Sequence, residues 1–327
     1  MAVPLRGLKM IEAASASAPP GLWAAIGMCG RMAADLGADL TRVVVTDTQG
    51  LPHPFLDAGK TILRMPPAAA VLADLVRSAD VLICDPALLD ELALAPRAVR
   101  AIISMDGGSL PYQDSEFTIE ARAGLLDIVG DPQRSPLRLG GHQTAYAAGL
   151  SAFTGMVAAL CQQPLDRARD LHTSLLETAI WLNWKSLAVA QRTGKAVKRA
   201  GPNAEWPVLP CIDGHVVVVH RNQEWQRLMD VVGNPLMREA RFQSLAGRRQ
   251  HRSELNAMLA EFFATLTRQQ VHELSLRHKL PFGAVWSPAE LLQNPQMLER
   301  QIFRPTEIQG RSVSLPRLPV VWHGASA

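Results

Sequence analysis

The chain has 327 residues, 48% of them hydrophobic, enough to fill one large core or two ordinary ones. Its 33 basic and 30 acidic residues leave a net charge of +3 with no long run of either sign, which argues against a nucleic-acid surface while leaving room for a local basic pocket for an anionic ligand. Cys29, Cys84, Cys161 and Cys211 stand far apart with no Cys-x-x-Cys pair; they read as reduced, mostly buried small hydrophobes in a cytosolic protein, and no metal site is expected.

The opening MAVPLRGLKMIEAAS lacks the charged start and continuous apolar core of a signal peptide. No apolar run reaches the roughly 18 residues of a membrane span, so a soluble, cytoplasmic protein without a membrane segment is expected. LKMIEAA, after Gly7, predicts a buried first strand that SASAPPG breaks. LWAAIGMCGRMAADLG has helical spacing through Leu22, Ala25, Ile26, Cys29 and Met32 and stops at Gly37. DLTRVVVTD follows as a β-branched strand, so the chain starts as a parallel α/β sheet.

The alternation continues with AAAVLADLVRSA as a helix, DVLICD as a strand, ALLDELAL as a helix and RAVRAIISM ending in a strand. DPQRSPLRLGGHQ is a Pro/Gly-bearing connection. TAYAAGLSAFTGMVAALCQ predicts a helix packed closely on all sides, and LHTSLLETAIWLNWKSLAVAQ a second long buried helix. Beyond the linker TGKAVKRAGPNAEWPVLPC, DGHVVVVHR reads as a strand opening on an Asp-Gly turn. NQEWQRLMDVVG reads as a helix capped by Asn222, RSELNAMLAEFFATL and TRQQVHELSLRHK as amphipathic helices, and PFGAVWS as a short strand. Residues 205–295 thus form a smaller α/β unit with its own core. The tail carries few helical signals.

Chemical motifs are sparse. The glycines at 21, 27 and 30 do not make the fingerprint of a dinucleotide fold, and no phosphate loop, serine elbow or metal-type cluster is present. His142 stands alone near glycines, where a partly buried or solvent-facing histidine is the ordinary case and a base or ligand the alternative. Asp114, Glu116 and Glu120 precede or enter a helical segment, ordinarily as terminal charge and solvated face, with catalysis as the alternative. Lys60 in DAGKT could meet a phosphate as a point charge. By themselves these residues support a soluble α/β protein with a small second domain.

Order and spacing add more. PLRGLKMIEAA, MAADLGADLTRV, DAGKTI, ADVLICD, FTIEARAGLLDIVGDPQRSPLRLGG, AGLSAFTGMVAAL, HTSLLETA, DGHVVVV with WQRLM, and GRRQHRSEL through NPQMLERQIF occur in the order seen in the class III CoA-transferases, the group of formyl-CoA transferase, carnitine CoA-transferase and α-methylacyl-CoA racemase. The chain resembles that family over most of its length. The resemblance implies a large domain with a Rossmann-like parallel sheet (1–195), a linker (196–204), a small domain (205–295) and a segment returning to the large domain (296–327). It also implies an interlocked homodimer whose site lies between the large domain of one subunit and the small domain of the other. Coenzyme A or an acyl-CoA is then a substrate, with a carboxylic acid as its partner and no metal, nucleic acid or membrane involved.

In such transferases an aspartate attacks the thioester carbonyl, giving a mixed anhydride and then an aspartyl-CoA thioester before the new acid takes the CoA. The aspartate stands four residues before the glycine matched here by Gly149, and its place is taken by Ala145, which has no nucleophile and no hydrogen-bonding side chain. IGMCG replaces a family Gly-Pro, and Val44 and Val45 replace a Glu-Arg after the second strand. Lys60 matches a family lysine of the segment lining the CoA site. Ser115 and Glu116 occupy the places of the racemase histidine and acid before Gly124.

Three readings follow. One is a CoA-thioester enzyme in which Glu116, Glu120 or His142 substitutes for the aspartate. Another is a non-catalytic CoA-binding or structural subunit that pairs with an active homologue. The third is a lyase or isomerase that reuses the pocket.

Overall fold

The computed structural model describes residues 4–44, 53–64, 69–90, 98–108, 114–162, 168–308 and 310–321. Val45 and the second half of ALLDELAL lie outside them. The chain divides into two compact units, Met1–Val129 with Pro136–Val197 and Arg300–Ala327, and Gly130–Ser135 with Lys198–Glu299.

In the first unit the elements run β1 (Lys9–Glu12), α1 (Pro20–Asp35), β2 (Asp39–Val44), α2 (Pro54–Asp57), β3 (Thr61–Arg64), α3 (Ala69–Arg77), β4 (Val81–Cys84), α4 (Pro86–Asp90), β5 (Val99–Ser104), α5 (Glu116–Arg122), α6 (Gln143–Cys161), β6 (Arg169–Ser174), α7 (Leu175–Leu182) and α8 (Trp184–Thr193). The strands form one sheet in the order β3-β2-β1-β4-β5-β6, each neighbouring pair parallel. Growth of the sheet reverses between β1 and β4, the kind of switch point at which doubly wound sheets open a crevice.

Period-two alternation fills both faces. Met10, Leu40, Val81, Ile83, Ala101 and Ile103 join a core with residues of α1 and α6. Their neighbours Ile11, Val43, Leu82, Cys84 and Ile102 join another with Leu72, Val76 and Leu88.

By length and composition α6 could cross a membrane, contrary to the expectation that no segment reaches that size. It packs instead on α1, β5 and β6. Its small residues permit this, and Gly149 is the tightest point: a Cβ there would stand 2.4 Å from the Ala25 carbonyl oxygen. Gly149→Ala is therefore expected to cost about 1–3 kcal/mol through overpacking, measured as a lower urea midpoint with an unchanged slope.

Two strands of this sheet were not anticipated, nor were those at Val208–Cys211, within the stretch read as linker, and at Phe303–Ile308 and Arg311–Pro316 in the tail. β3 and β6 are the edges of the sheet; β3 is mostly exposed and β6 alternates exposed with partly buried residues, so neither reads as an apolar run. The stretch expected as one long buried helix from Leu171 is instead β6, α7 and α8. Ser174 ends the strand and caps α7 by accepting the Glu177 N–H, a Ser-x-x-Glu start signal within the sequence. Asn183 separates the two helices and donates from its amide to the Ala123 carbonyl. Nor are the helices buried all round: Trp181 is 71% exposed, and Trp184 and Leu187 are exposed beside it.

The second unit holds β7 (Val208–Cys211), β8 (Gly214–Val218), α9 (Trp225–Val232), α10 (Leu245–Gln250), α11 (Arg252–Phe263), α12 (Arg268–His278), β9 (Phe282–Ala284), α13 (Pro288–Leu291) and α14 (Pro295–Glu299). Its sheet β7-β8-β9 is antiparallel, and Val216, Leu228, Phe242, Leu259, Phe263 and Val271 fill its core. Asn222 does not cap α9, whose N-cap is Glu224; its side-chain oxygen accepts from Arg248 instead. In the tail, β10 (Phe303–Ile308) and β11 (Arg311–Pro316) form an antiparallel hairpin.

Candidate active site

The first turn of α6 is where the candidate residues meet. A helix start leaves backbone N–H groups without intrahelical partners, and His142, the N-cap, makes no side-chain cap bond. The capping group comes from another helix. Glu116, in the first turn of α5, accepts the Ala145 N–H on Oε1 at 2.9 Å and lies with Oε2 2.6 Å from His142 Nδ1. Positive partial charge at the helix start favours a carboxylate there.

The acid residues that ordinarily read as a solvated face are buried: Glu116 is 3% exposed and Glu120 wholly enclosed. α5 is itself held in register by Ser115, whose hydroxyl and backbone exchange a capping box with Thr118, while Asp114 pairs with Arg122. This places Glu116 and Glu120, four apart, on one helix face.

Glu120 accepts the Thr144 hydroxyl on Oε1 at 3.1 Å, and its Oε2 has no partner. Burial, with Glu116 adding to it and the Thr144 hydroxyl opposing, holds its carboxyl above the usual range. Burial and Glu116 likewise raise the Tyr146 phenol. Ala145 is fully buried, so its methyl group is part of the core and not of an open surface.

His142 is the accessible member, its side chain 33% exposed. A carboxylate accepting from Nδ1–H fixes the tautomer that leaves the Nε2 lone pair open. The Tyr146 ring stands edge-on at 6.2 Å. Three neighbours escaped the sequence reading. Arg138 brings a half-exposed guanidinium within 3.8 Å of Glu116 Oε2. Tyr146 lies one turn along from His142. His53 caps α2 by accepting the Leu56 N–H, and its imidazole is lowered chiefly by burial, with His142 contributing. The His142-to-Tyr146 helical spacing was readable; the approach of Arg138 and His53 depends on tertiary folding.

Lys60 is not part of this group. Its side chain is enclosed, its ammonium pairs with the buried Glu12, and it donates to the Gly27 carbonyl at 2.9 Å. Among the described residues no group of three or more His, Cys, Asp or Glu side chains is arranged to hold a metal ion.

Comparison with known proteins places this geometry in context. The family model for CoA-transferase family III matches residues 62–327. The chain is 26% identical over 340 aligned residues to the succinyl-CoA–D-citramalate CoA-transferase of Chloroflexus aurantiacus, covering 91% of this chain and 82% of that one. It is 22% identical to the formyl-CoA:oxalate CoA-transferase of Streptomyces avermitilis over 71% of this chain and 65% of the relative. Among solved structures, a CaiB/BaiF family protein from Brucella suis superposes with a TM-score of 0.83 at 22% identity, covering 98% of this chain and 93% of the other.

Proposed function

The chain belongs to CoA-transferase family III, and from that premise we propose that it moves CoA between carboxylic acids, with the Glu116 carboxylate acting at the turn where Ala145 offers none. The observation that carries this reading is the hydrogen bond from the Ala145 N–H to Glu116 Oε1. It sets a carboxylate against the backbone of the residue whose side chain carries none.

In the proposed reaction a Glu116 oxygen bonds to the carbonyl carbon of the acyl-CoA as the C–S bond breaks, leaving a mixed anhydride and CoA thiolate. The thiolate attacks the Glu116 carbonyl, which releases the donor acid as its carboxylate and leaves a glutamyl thioester. The acceptor carboxylate then attacks that thioester, forming a second anhydride and freeing thiolate. Attack of thiolate on the acceptor carbonyl yields the new thioester and restores Glu116. His142 and Arg138 flank the carboxylate and meet the negative charge that develops beside it. A second copy of the chain, or an active homologue, completes the site in this proposal; the exposed Trp181, Trp184 and Leu187 supply an apolar face of the kind subunits cover.

Exposure favours a second reading. Because His142 is open and Glu116 is enclosed, Nε2 of His142 could instead remove the proton from the carbon beside the thioester carbonyl and return it to the resulting enolate, with Glu116 as positioning residue.

One incubation separates them: succinyl-CoA with a different dicarboxylic acid, in D2O, followed by chromatography and mass analysis of thioesters and of the Glu116 peptide. A new thioester and a CoA adduct on Glu116 support transfer. Deuterium in recovered succinyl-CoA without exchange supports the proton-transfer reading. Neither product, across a panel of acyl-CoAs, overturns both.

A further inference from the structure

The second unit carries a cavity that the reading above does not use. Its volume is about 290 Å³, and His220, Arg221, Asn222, Arg249, Glu205 and Trp206 contribute to its lining. His220 is 4% exposed, yet neither ring nitrogen has a partner at hydrogen-bonding geometry. Its imidazole is held below the ordinary value by burial and by Arg248, with Glu205 opposing.

Behind the lining, Arg248 is 1% exposed. Its guanidinium donates to the Phe242 carbonyl at 2.9 Å and to Asn222 and lies over the Trp225 ring at 4.4 Å. Among the described residues no carboxylate pairs with it, and its Nε and the Trp225 Nε1 have no acceptor. A buried guanidinium with no carboxylate in ion-pair contact among the described residues, and a buried imidazole whose nearby carbonyls fall short of full hydrogen-bond geometry, are both costly; Glu205 opposes these costs electrostatically, and an oxyanion in the cavity would lower them further. The rim adds two further cations, Arg221 paired with Glu224 and Arg249 paired with Glu205. Both guanidiniums have more N–H groups than these pairs use.

We propose that this cavity binds an oxyanion, the carboxylate or phosphate group of a small molecule, with His220 at its base and Arg221 and Arg249 at its rim. The volume suits a small ligand or one end of a larger one. The inference does not rest on the reaction assigned to Glu116, because its readout is binding and needs no turnover.

The test is calorimetric titration of the full chain, at constant ionic strength set with chloride, by inorganic phosphate, by acetate and by succinate. Saturable binding of at least one of them is expected, weakened about tenfold or more by Arg249→Gln and by His220→Gln. Phosphate alone would assign a phosphate group, acetate or succinate alone a carboxylate, and all three the shared oxyanion chemistry. Arg249 is exposed, so its variant decides the matter if His220→Gln does not fold. The proposal is overturned if no oxyanion binds saturably, or if Arg249→Gln binds as the parent does.

Discussion

Glu116→Gln is expected to abolish CoA exchange while leaving the fold nearly untouched. Glutamine keeps the shape of the side chain: its carbonyl can still accept the Ala145 N–H, and its amide can face His142 Nδ1 in place of the carboxylate. Stability should therefore change by less than about 1 kcal/mol, whereas Glu116→Ala, which strips a buried helix start of its acceptor, should cost about 1–3 kcal/mol. The amide cannot form the anhydride, and it pushes His142 toward the tautomer with its proton on Nε2. Both proposed reactions fail in the glutamine variant, so His142→Gln distinguishes them. If His142 is the base, its loss lowers turnover by about 10²–10⁴-fold. If Glu116 is the nucleophile, exchange survives His142→Gln with a smaller loss, and the glutamyl adduct still forms. Steady-state exchange rates with thermal melts on the same preparations check each branch.

The second large effect lies at Lys60. Glu12 and Lys60 form an enclosed ion pair at the end of β1, and Arg42 stands 3.8 Å from the other Glu12 oxygen. Lys60→Met would leave the Glu12 charge buried with, among the described residues, Arg42 to balance it while also paired with Asp57, at a cost of about 3–5 kcal/mol. Replacing both Glu12 and Lys60 by Met should recover most of that loss. Burial raises the Glu12 carboxyl despite Lys60 and Arg42. The folded state thus holds this proton more tightly than the unfolded chain, and the contribution of Glu12 to stability falls as pH rises through the ordinary carboxylate range. Without Lys60 the carboxyl rises further. The deficit of Lys60→Met is therefore expected to be larger when measured at about pH 7 than at about pH 5, because uptake of a proton by Glu12 as the pH falls removes the unbalanced charge. Urea unfolding of parent and variant at the two pH values measures it; an equal deficit at both would contradict the buried-pair account.

The central strands and α1 were legible because burial on both sheet faces forces apolar runs of strand length, as in VLIC and VRAIIS. Edge strands escape that rule: TILR is mostly exposed and RDLHTS alternates exposed with partly buried residues, and only the Ser174–Glu177 cap marked where the second of them ends. The family was legible from the order of many weak segments. The candidate site was half legible. Sequence order showed that residue 145 lacks a carboxylate and offered Glu116, Glu120 and His142 as candidates nearby in the chain, but the two glutamates read ordinarily as terminal charge and solvated face, whereas both are buried. That Glu116 reaches across to the Ala145 N–H depends on how α5 meets α6, a contact between residues 29 positions apart that no local pattern encodes. Lys60 shows the reverse case. A lysine after a glycine could meet a phosphate as a point charge; the partner the structure gives it, Glu12, lies 48 residues away. Gly30 makes room for that carboxylate, since a Cβ there would stand 1.9 Å from Glu12 Oε2.

The division of the chain into interleaved segments has a consequence for its biosynthesis. Gly130–Ser135 belongs to the second unit, although the rest of that unit begins only at Lys198, and the first unit regains a segment at Arg300. Emerging from the ribosome, the six-residue piece waits for the rest of its unit, while the six strands of the sheet are all made by Ser174. Folding strictly from the N-terminal unit onward, the usual order during synthesis, does not match this layout, because the second unit has all its segments by Glu299, before the first regains its own. Within each unit, contacts between segments distant in the chain must form, which slows folding. A fragment cut at Lys198 and Glu299 would carry most of the second unit but lack the piece against which Gly201 packs, at Pro132.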